Sequence, residues 1–277
     1  MESINPATEE RIATYLEMDA AEVRRRVDLA AARFEAWRAT SVAQRSAPMR
    51  KLAELLRTRR GALGELMTLE MGKPIASAEA EVEKCAWVCE FYSEHAAEFL
   101  ASRQAATAAA ASYVRYDPLG VILAVMPWNF PFWQVFRFLA PALMAGNAAV
   151  LKHASNVCGC ALAIEELVGA AGFPDGLLGA LLIPAQRVAE VLEHPAVRAA
   201  TLTGSEQAGM ALAAAAGREL KKTVLELGGS DPMIVLADAD VAAVAAAAAA
   251  ARTINCGQSC IAAKRLIVEE LIAKPFT

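Results

Sequence analysis

Between Ala20 and Ala39, apolar side chains recur at Val23, Val27, Ala30, Phe34 and Trp37. That spacing puts them on one face of a helix, with Asp19 as its N-cap. A second helix runs from about Val42 to Glu70 and stops at Met71-Gly72-Lys73-Pro74, where glycine and proline end it. A third runs from about Ser77 to Leu100, so the first hundred residues read as helical. Residues 101–112 are alanine-rich and carry no period. Ser112–Tyr116 then alternates as a strand does, and Asp117-Pro118-Leu119-Gly120 is a turn.

From Val121 the pattern changes. Short continuous apolar runs at Val121–Met126, Ala148–Leu151, Leu178–Ile183 and Ala200–Leu202 are followed by helical stretches from about Phe132, Val157, Val188 and Glu206. Thr223–Leu225, Met233–Leu236, a helix at Val241–Thr253 and a strand at Arg265–Val268 complete the series, and Leu271–Thr277 reads as the start of a helix. Strands that are apolar throughout and alternate with helices predict an α/β fold, a parallel sheet with helices on both faces, behind an N-terminal helical region. Right-handed crossovers gather the strand C-termini on one edge, where such folds bind ligands.

Composition narrows the function. The formal net charge is −4, which gives no basic field for nucleic acid. Apolar residues make up 56% of the chain, but the longest run, Val241–Ala251, is too short to span a bilayer. The polar start Met1–Pro6 lacks the form of a signal peptide, so a soluble, cytoplasmic protein with no membrane partner is expected. Six cysteines stand at 85, 89, 158, 160, 256 and 260. Their spacings match no common zinc pattern, so no metal is expected, and a cysteine without context is most simply a small core residue.

The chemistry-bearing residues cluster at strand ends. Trp128 and Asn129 sit between Pro127 and Pro131, where a rigid backbone would present two amide donors or simply hold a turn. Lys152 follows an apolar strand and could reach a phosphate or stand in solvent. Thr203-Gly204-Ser205 leads into a helix whose N-terminus suits a pyrophosphate, although the common dinucleotide fingerprint is absent. Glu226 lies beside Gly228 and Gly229 as a cap or a general base. Cys260 lies in a Gly-containing loop, where a thiol is more exposed than in a core.

Taken together, Pro127–Pro131, Leu151–Ser155, Thr203–Ser205, Leu225–Gly229 and Gly257–Cys260 resemble the aldehyde dehydrogenase superfamily over nearly the whole chain. Lys152–Asn156 and Gly257–Arg265 resemble its succinate-semialdehyde dehydrogenase-like branch. The resemblance implies an enzyme that oxidises an aldehyde or semialdehyde to the acid with NAD(P)+, through a cysteine thiohemiacetal and thioester. Cys260 would be the nucleophile. Asn129 and the Cys260 N–H would hold the oxyanion, and Glu226 would be the base that activates water. Trp128, Asn129, Lys152, His153, Ala154, Ser155, Gly204, Ser205 and Leu227 would bind NADP or NAD. Ser155 stands where some relatives carry a carboxylate that repels a 2′-phosphate, so NADP is permitted. Arg137 would pair with a substrate carboxylate.

The same resemblance implies an NAD(P)-binding domain over 1–229, with a bridging hairpin near 103–117, and the start of a catalytic domain over 230–277. Family members continue past this point, through a Glu-x-Phe-Gly-Pro segment and a C-terminal strand used in oligomerisation. The sequence therefore predicts a C-terminally truncated chain with an incomplete catalytic domain. The alternative to the enzyme is an inactive dinucleotide-binding fragment, and a full-length relative would be a homo-oligomer. CoA-acylating oxidation is disfavoured because Glu226 is present to activate water. Ile254 departs from the branch, which can use a second arginine there, and this puts succinate semialdehyde itself in doubt. Cys256, four residues before Cys260, reads as a small residue or as a disulfide partner.

Overall fold

The computed structural model describes all 277 residues and divides into two units, Met1–Leu225 and Glu226–Thr277. The first opens with β1 (Glu2–Ile4) and β2 (Arg11–Thr14), an antiparallel pair that helical periodicity does not reveal. Four helices follow: α1 (Ala20–Trp37), α2 (Val42–Thr58), α3 (Arg60–Met71) and α4 (Ile75–Phe99). Asp19 caps α1 as expected, accepting from the Glu22 N–H at 2.8 Å. The single helix expected over 42–70 is two, separated by Arg59 with φ −97° and ψ 10°. Neither glycine nor proline stands at 59, so the apolar period runs through the break. Gly72 ends α3 in the left-handed conformation that a C-cap glycine supplies without strain.

The hairpin expected near 103–117 is the short antiparallel pair β3 (Arg103–Gln104) and β4 (Tyr113–Val114). Then come β5 (Val121–Met126), α5 (Trp133–Met144), β6 (Ala148–His153), α6 (Cys158–Ala170), β7 (Leu178–Ala180), α7 (Val188–Glu193), β8 (Val197–Thr203), α8 (Glu206–Arg218) and β9 (Lys222–Glu226). The strands form one sheet in the order β7-β6-β5-β8-β9, flanked by helices, with the pairs β7/β6, β6/β5 and β5/β8 parallel. Met126 pairs with His153, and Val125 with Leu202, so the C-terminal ends of three strands share one edge. After β7 the chain crosses to the other side of β5, which makes the β5/β8 boundary the switch point of the sheet.

Two buried donors tie the helices to this core. The Trp37 indole N–H reaches the Leu143 carbonyl at 2.9 Å. The Arg45 guanidinium donates to the carbonyls of Met144, Arg38 and Thr40 at 3.0, 3.1 and 2.7 Å, satisfying groups that helix ends leave free.

In the second unit β10 (Asp231–Val235) and β11 (Ala263–Val268) pair in parallel, connected through α9 (Val241–Thr253), and α10 (Glu270–Phe276) follows. Asp240 caps α9, accepting from the Ala242 and Ala243 N–H groups at 3.0 and 3.2 Å. No helix is long and apolar enough to cross a membrane.

Candidate functional site

The expected site residues fall in both units. Trp128, Asn129, Arg137, Lys152–Ser155, Gly204 and Ser205 belong to the first, and Glu226, Leu227 and Cys260 to the second.

In the first unit the turn after β5 presents Trp128, which is exposed, and Asn129, which is half-buried. Beside it, Lys152 is only 8% exposed. Burial lowers its pKa, and no carboxylate pairs with it. A buried ammonium without an anion is costly unless a ligand supplies the charge. Ser155 is exposed just beyond. On the other side of β5, the Ser205 hydroxyl caps α8 by accepting from the Ala208 N–H at 3.2 Å, so the first turn of that helix faces the sheet edge after Gly204. Arg137, half-buried on α5, donates to the Thr203 hydroxyl at 3.1 Å.

A cavity of about 260 Å³ lies at the switch point. Val125 and Leu202 of the two strands line it, with Ala185 and Gln186 before α7, Val188 and Ala189 at its start, and Ala208, Ala211 and Ala215 along α8. Small side chains at helical spacing leave room for a flat ring. No motif in the sequence marks this slot; the three-and-four spacing of Ala208, Ala211 and Ala215 is its only trace there.

His153 stands among the residues that the resemblance assigns to the cofactor. The residue is 5% exposed and its ring meets the backbone: Nε2 lies 2.8 Å from the Pro131 carbonyl oxygen, and Nδ1 lies 3.2 Å from the Met126 carbonyl oxygen and accepts from the Ala154 N–H at 2.9 Å. Burial pulls its pKa down to about 4. The unfolded chain, with an ordinary value near 6.5, therefore takes up the proton first as pH falls. Stability should decline between about pH 6.5 and 4, by up to about 3 kcal/mol from this group. Denaturant midpoints across that range, in wild type and His153→Gln, check this; the variant should lose that part of the slope.

In the second unit the loop before Cys260, the candidate nucleophile, is tightly wound. Asn255, Cys256 and Gly257 all have positive φ, at 52°, 58° and 74°. The Gly257 carbonyl accepts from Arg252 at 3.1 Å. Lys264 was not singled out in the sequence. Its ammonium donates to the carbonyls of both Gly229 and Cys260 at 2.7 Å, joining the loop after Glu226 to the loop of Cys260. Arg265 adds a bond to the Ser230 carbonyl at 2.9 Å. One side chain thus staples the loop that follows the candidate base, at the end of β9, to the loop of the candidate nucleophile.

The six cysteines separate by exposure. Cys85, Cys89, Cys158 and Cys160 are buried, whereas Cys256 is exposed and Cys260 half-exposed. Burial raises all four buried thiols, Cys158 to about 11. Iodoacetamide on the native protein should label Cys256 and Cys260, with the other four at least ~100-fold slower until denaturant is added. Peptide mass spectrometry reads the outcome directly.

Comparison with known proteins gives the family and the fold. The family model described as the aldehyde dehydrogenase family matches residues 1–277. A probable succinate-semialdehyde dehydrogenase (NADP+) of Synechocystis sp. is 54% identical over 274 residues, covering 99% of this chain and 60% of that protein. Succinate-semialdehyde dehydrogenase (NADP+) 1 of Mycobacterium tuberculosis is 50% identical over 277 residues, covering 99% of this chain and 61% of that protein. Among solved structures, the succinic semialdehyde dehydrogenase of Streptococcus pyogenes in complex with NADP+ superposes with a TM-score of 0.96 at 38% identity, covering 99% of this chain and 61% of that one. An NAD-dependent aldehyde dehydrogenase of Sinorhizobium meliloti gives 0.94 at 34% identity, covering 100% and 56%. The chain spans about 60% of the length of the curated relatives it matches.

Proposed function

Because this chain belongs to the aldehyde dehydrogenase family, we propose that it carries the cofactor-binding part and the nucleophile of an NADP+-dependent enzyme that oxidises aldehydes, with semialdehydes as the favoured substrate class. One observation carries the cofactor reading: Lys152 is buried, unpaired by any carboxylate, and set at the strand edge beside exposed Ser155. That edge accepts a 2′-phosphate, which a carboxylate at 155 would repel. The slot between β5 and α8 takes the flat adenine, and the first turn of α8 takes the pyrophosphate. Bound NADP+ supplies the two-electron acceptor.

The chain's own residues do the rest. The Cys260 thiolate attacks the aldehyde carbon and forms the carbon–sulfur bond of a thiohemiacetal. The Asn129 amide and the Cys260 N–H hold the oxygen, whose negative charge grows in that step. Oxidation leaves a thioester on Cys260. Glu226 takes a proton from water, which attacks the thioester carbon and releases the acid. Arg137 pairs with the far carboxylate of a semialdehyde. Its half-buried position on the helix that follows the Asn129 turn supports this role.

The share of the relatives' length spanned here supports a second reading, in which these 277 residues bind the dinucleotide without turning over. One experiment separates the two. The purified chain is mixed with NADP+ or NAD+ and with succinate semialdehyde or simple aldehydes, and reduced cofactor is followed. Turnover favouring NADP+ and the semialdehyde supports the first reading. Saturable cofactor binding without reduction supports the second, and neither binding nor reduction sinks both.

A further inference from the structure

We infer that His153 is a positioning residue for Asn129, acting by holding the Pro127–Pro131 turn in one shape. The inference rests on the reading of Asn129 as an oxyanion donor.

Local backbone bonds hold only the far end of this turn, where the Phe130 carbonyl accepts from the Gln134 N–H at 3.1 Å and the Phe132 carbonyl from the Phe136 N–H at 2.9 Å. It runs from the end of β5 at Met126 to the start of α5 at Trp133, outside the ladder of the sheet. Pro127 and Pro131 bring no N–H. The other anchors come from elsewhere in the unit. His153 Nδ1 lies between the Ala154 N–H at 2.9 Å, which donates to it, and the Met126 carbonyl at 3.2 Å, whereas Nε2 faces the Pro131 carbonyl, so the tautomer with its proton on Nε2 makes both of the shorter bonds. Nε2 then donates to the Pro131 carbonyl at 2.8 Å. The next two backbone groups are held as well: one Glu81 carboxylate oxygen accepts from the Phe132 and Trp133 N–H groups at 2.8 and 2.9 Å. Lys73 pairs with the other Glu81 oxygen, and its ammonium lies 4.4 Å from the centroid of the Phe130 ring.

Three consecutive residues, Pro131, Phe132 and Trp133, are therefore gripped through the backbone, and Phe130 through its ring. His153, Glu81 and Lys73 are 5%, 5% and 1% exposed, so water competes little for these bonds. Asn129 is the residue before the gripped segment. A donor to a developing oxyanion must keep its place to within about half an ångström. The only group that fixes the Pro131 carbonyl from the sheet side is His153, at the end of β6.

The test compares His153→Leu, which removes the donor, with His153→Gln, whose carboxamide nitrogen reaches a similar point. Reduced cofactor formed in a single turnover, its aldehyde dependence and the NADP+ dissociation constant are measured. Hydrogen exchange of the Trp128–Trp133 backbone is followed in the same proteins. His153→Leu should slow the chemical step by about ten- to a hundredfold. KM and NADP+ binding should be unchanged, exchange in the turn should be faster, and glutamine should restore most of the rate. In an Asn129→Ala background the leucine variant should add no further loss, because its effect passes through Asn129. An undiminished rate in His153→Leu overturns the inference, as does an equal loss with or without Asn129, or a loss seen only in NADP+ binding. If the wild-type chain forms no reduced cofactor, the functional reading has failed separately. The hold on the turn is then judged by exchange alone: faster in leucine and not in glutamine upholds it, and unchanged exchange overturns it.

Discussion

Cys260→Ser is expected to lower aldehyde-dependent NADP+ reduction by about 10⁴-fold or more, with NADP+ binding unchanged. The substitution replaces sulfur by oxygen in a half-exposed loop, so the fold has no reason to change. The chemistry does change. A thiol is a few per cent ionised at neutral pH and is a strong nucleophile once ionised, whereas a serine hydroxyl needs a base to act at all. The winding of residues 255–257 and the Lys264 staple hold residue 260 in place whichever atom it carries. Cys256→Ser is the control. That thiol is more exposed than Cys260 but lies inside the wound segment, and its loss should leave the rate near wild type. Equal activity in wild type and Cys260→Ser would remove the nucleophile from the account.

Glu81→Ala is expected to destabilise the first unit by about 3–5 kcal/mol, a large share of the 5–15 kcal/mol that holds typical domains together. The Glu81–Lys73 pair is 2% and 1% exposed at its side chains. Removing the carboxylate leaves a buried ammonium facing an aromatic ring and no anion. It also orphans the Phe132 and Trp133 N–H groups at the start of α5. Glu81→Gln with Lys73→Met should recover much of the loss, because the uncompensated charge is gone and one oxygen remains for the two amides. Urea midpoints for the three proteins check this; a loss below about 1 kcal/mol for Glu81→Ala would show that the pair is incidental.

Much of this was legible in the sequence where local chemistry dictates structure. The apolar runs of β5 and β6, the face of α1 and the glycine stop at Gly72 each follow from side-chain period or backbone freedom, and each stands where that physics put it. What escaped depends on partners distant in the chain. Strands β1 and β2 are short and largely exposed, so no alternation marks them. His153 sat inside a motif that suggested cofactor, but its contacts lie at Met126 and Pro131, residues that only the sheet register brings beside it. Glu81 did leave a trace, as a carboxylate within the apolar stripe Ala78, Val82, Cys85. A charge in such a stripe needs a buried partner, and Lys73 supplies it. Lys264 left none, because its two acceptors are backbone carbonyls, which no side-chain pattern encodes.

The most direct test of the account is a titration of the chain with NADP+ and NAD+, in wild type and Lys152→Met. Methionine keeps the length and apolar stem of the buried lysine and removes its charge. The account predicts saturable binding of one NADP+ per chain, weakened about ten- to a hundredfold in Lys152→Met, with NAD+ affected much less. Absence of saturable binding to the wild-type chain, or equal weakening of the two cofactors, would contradict it.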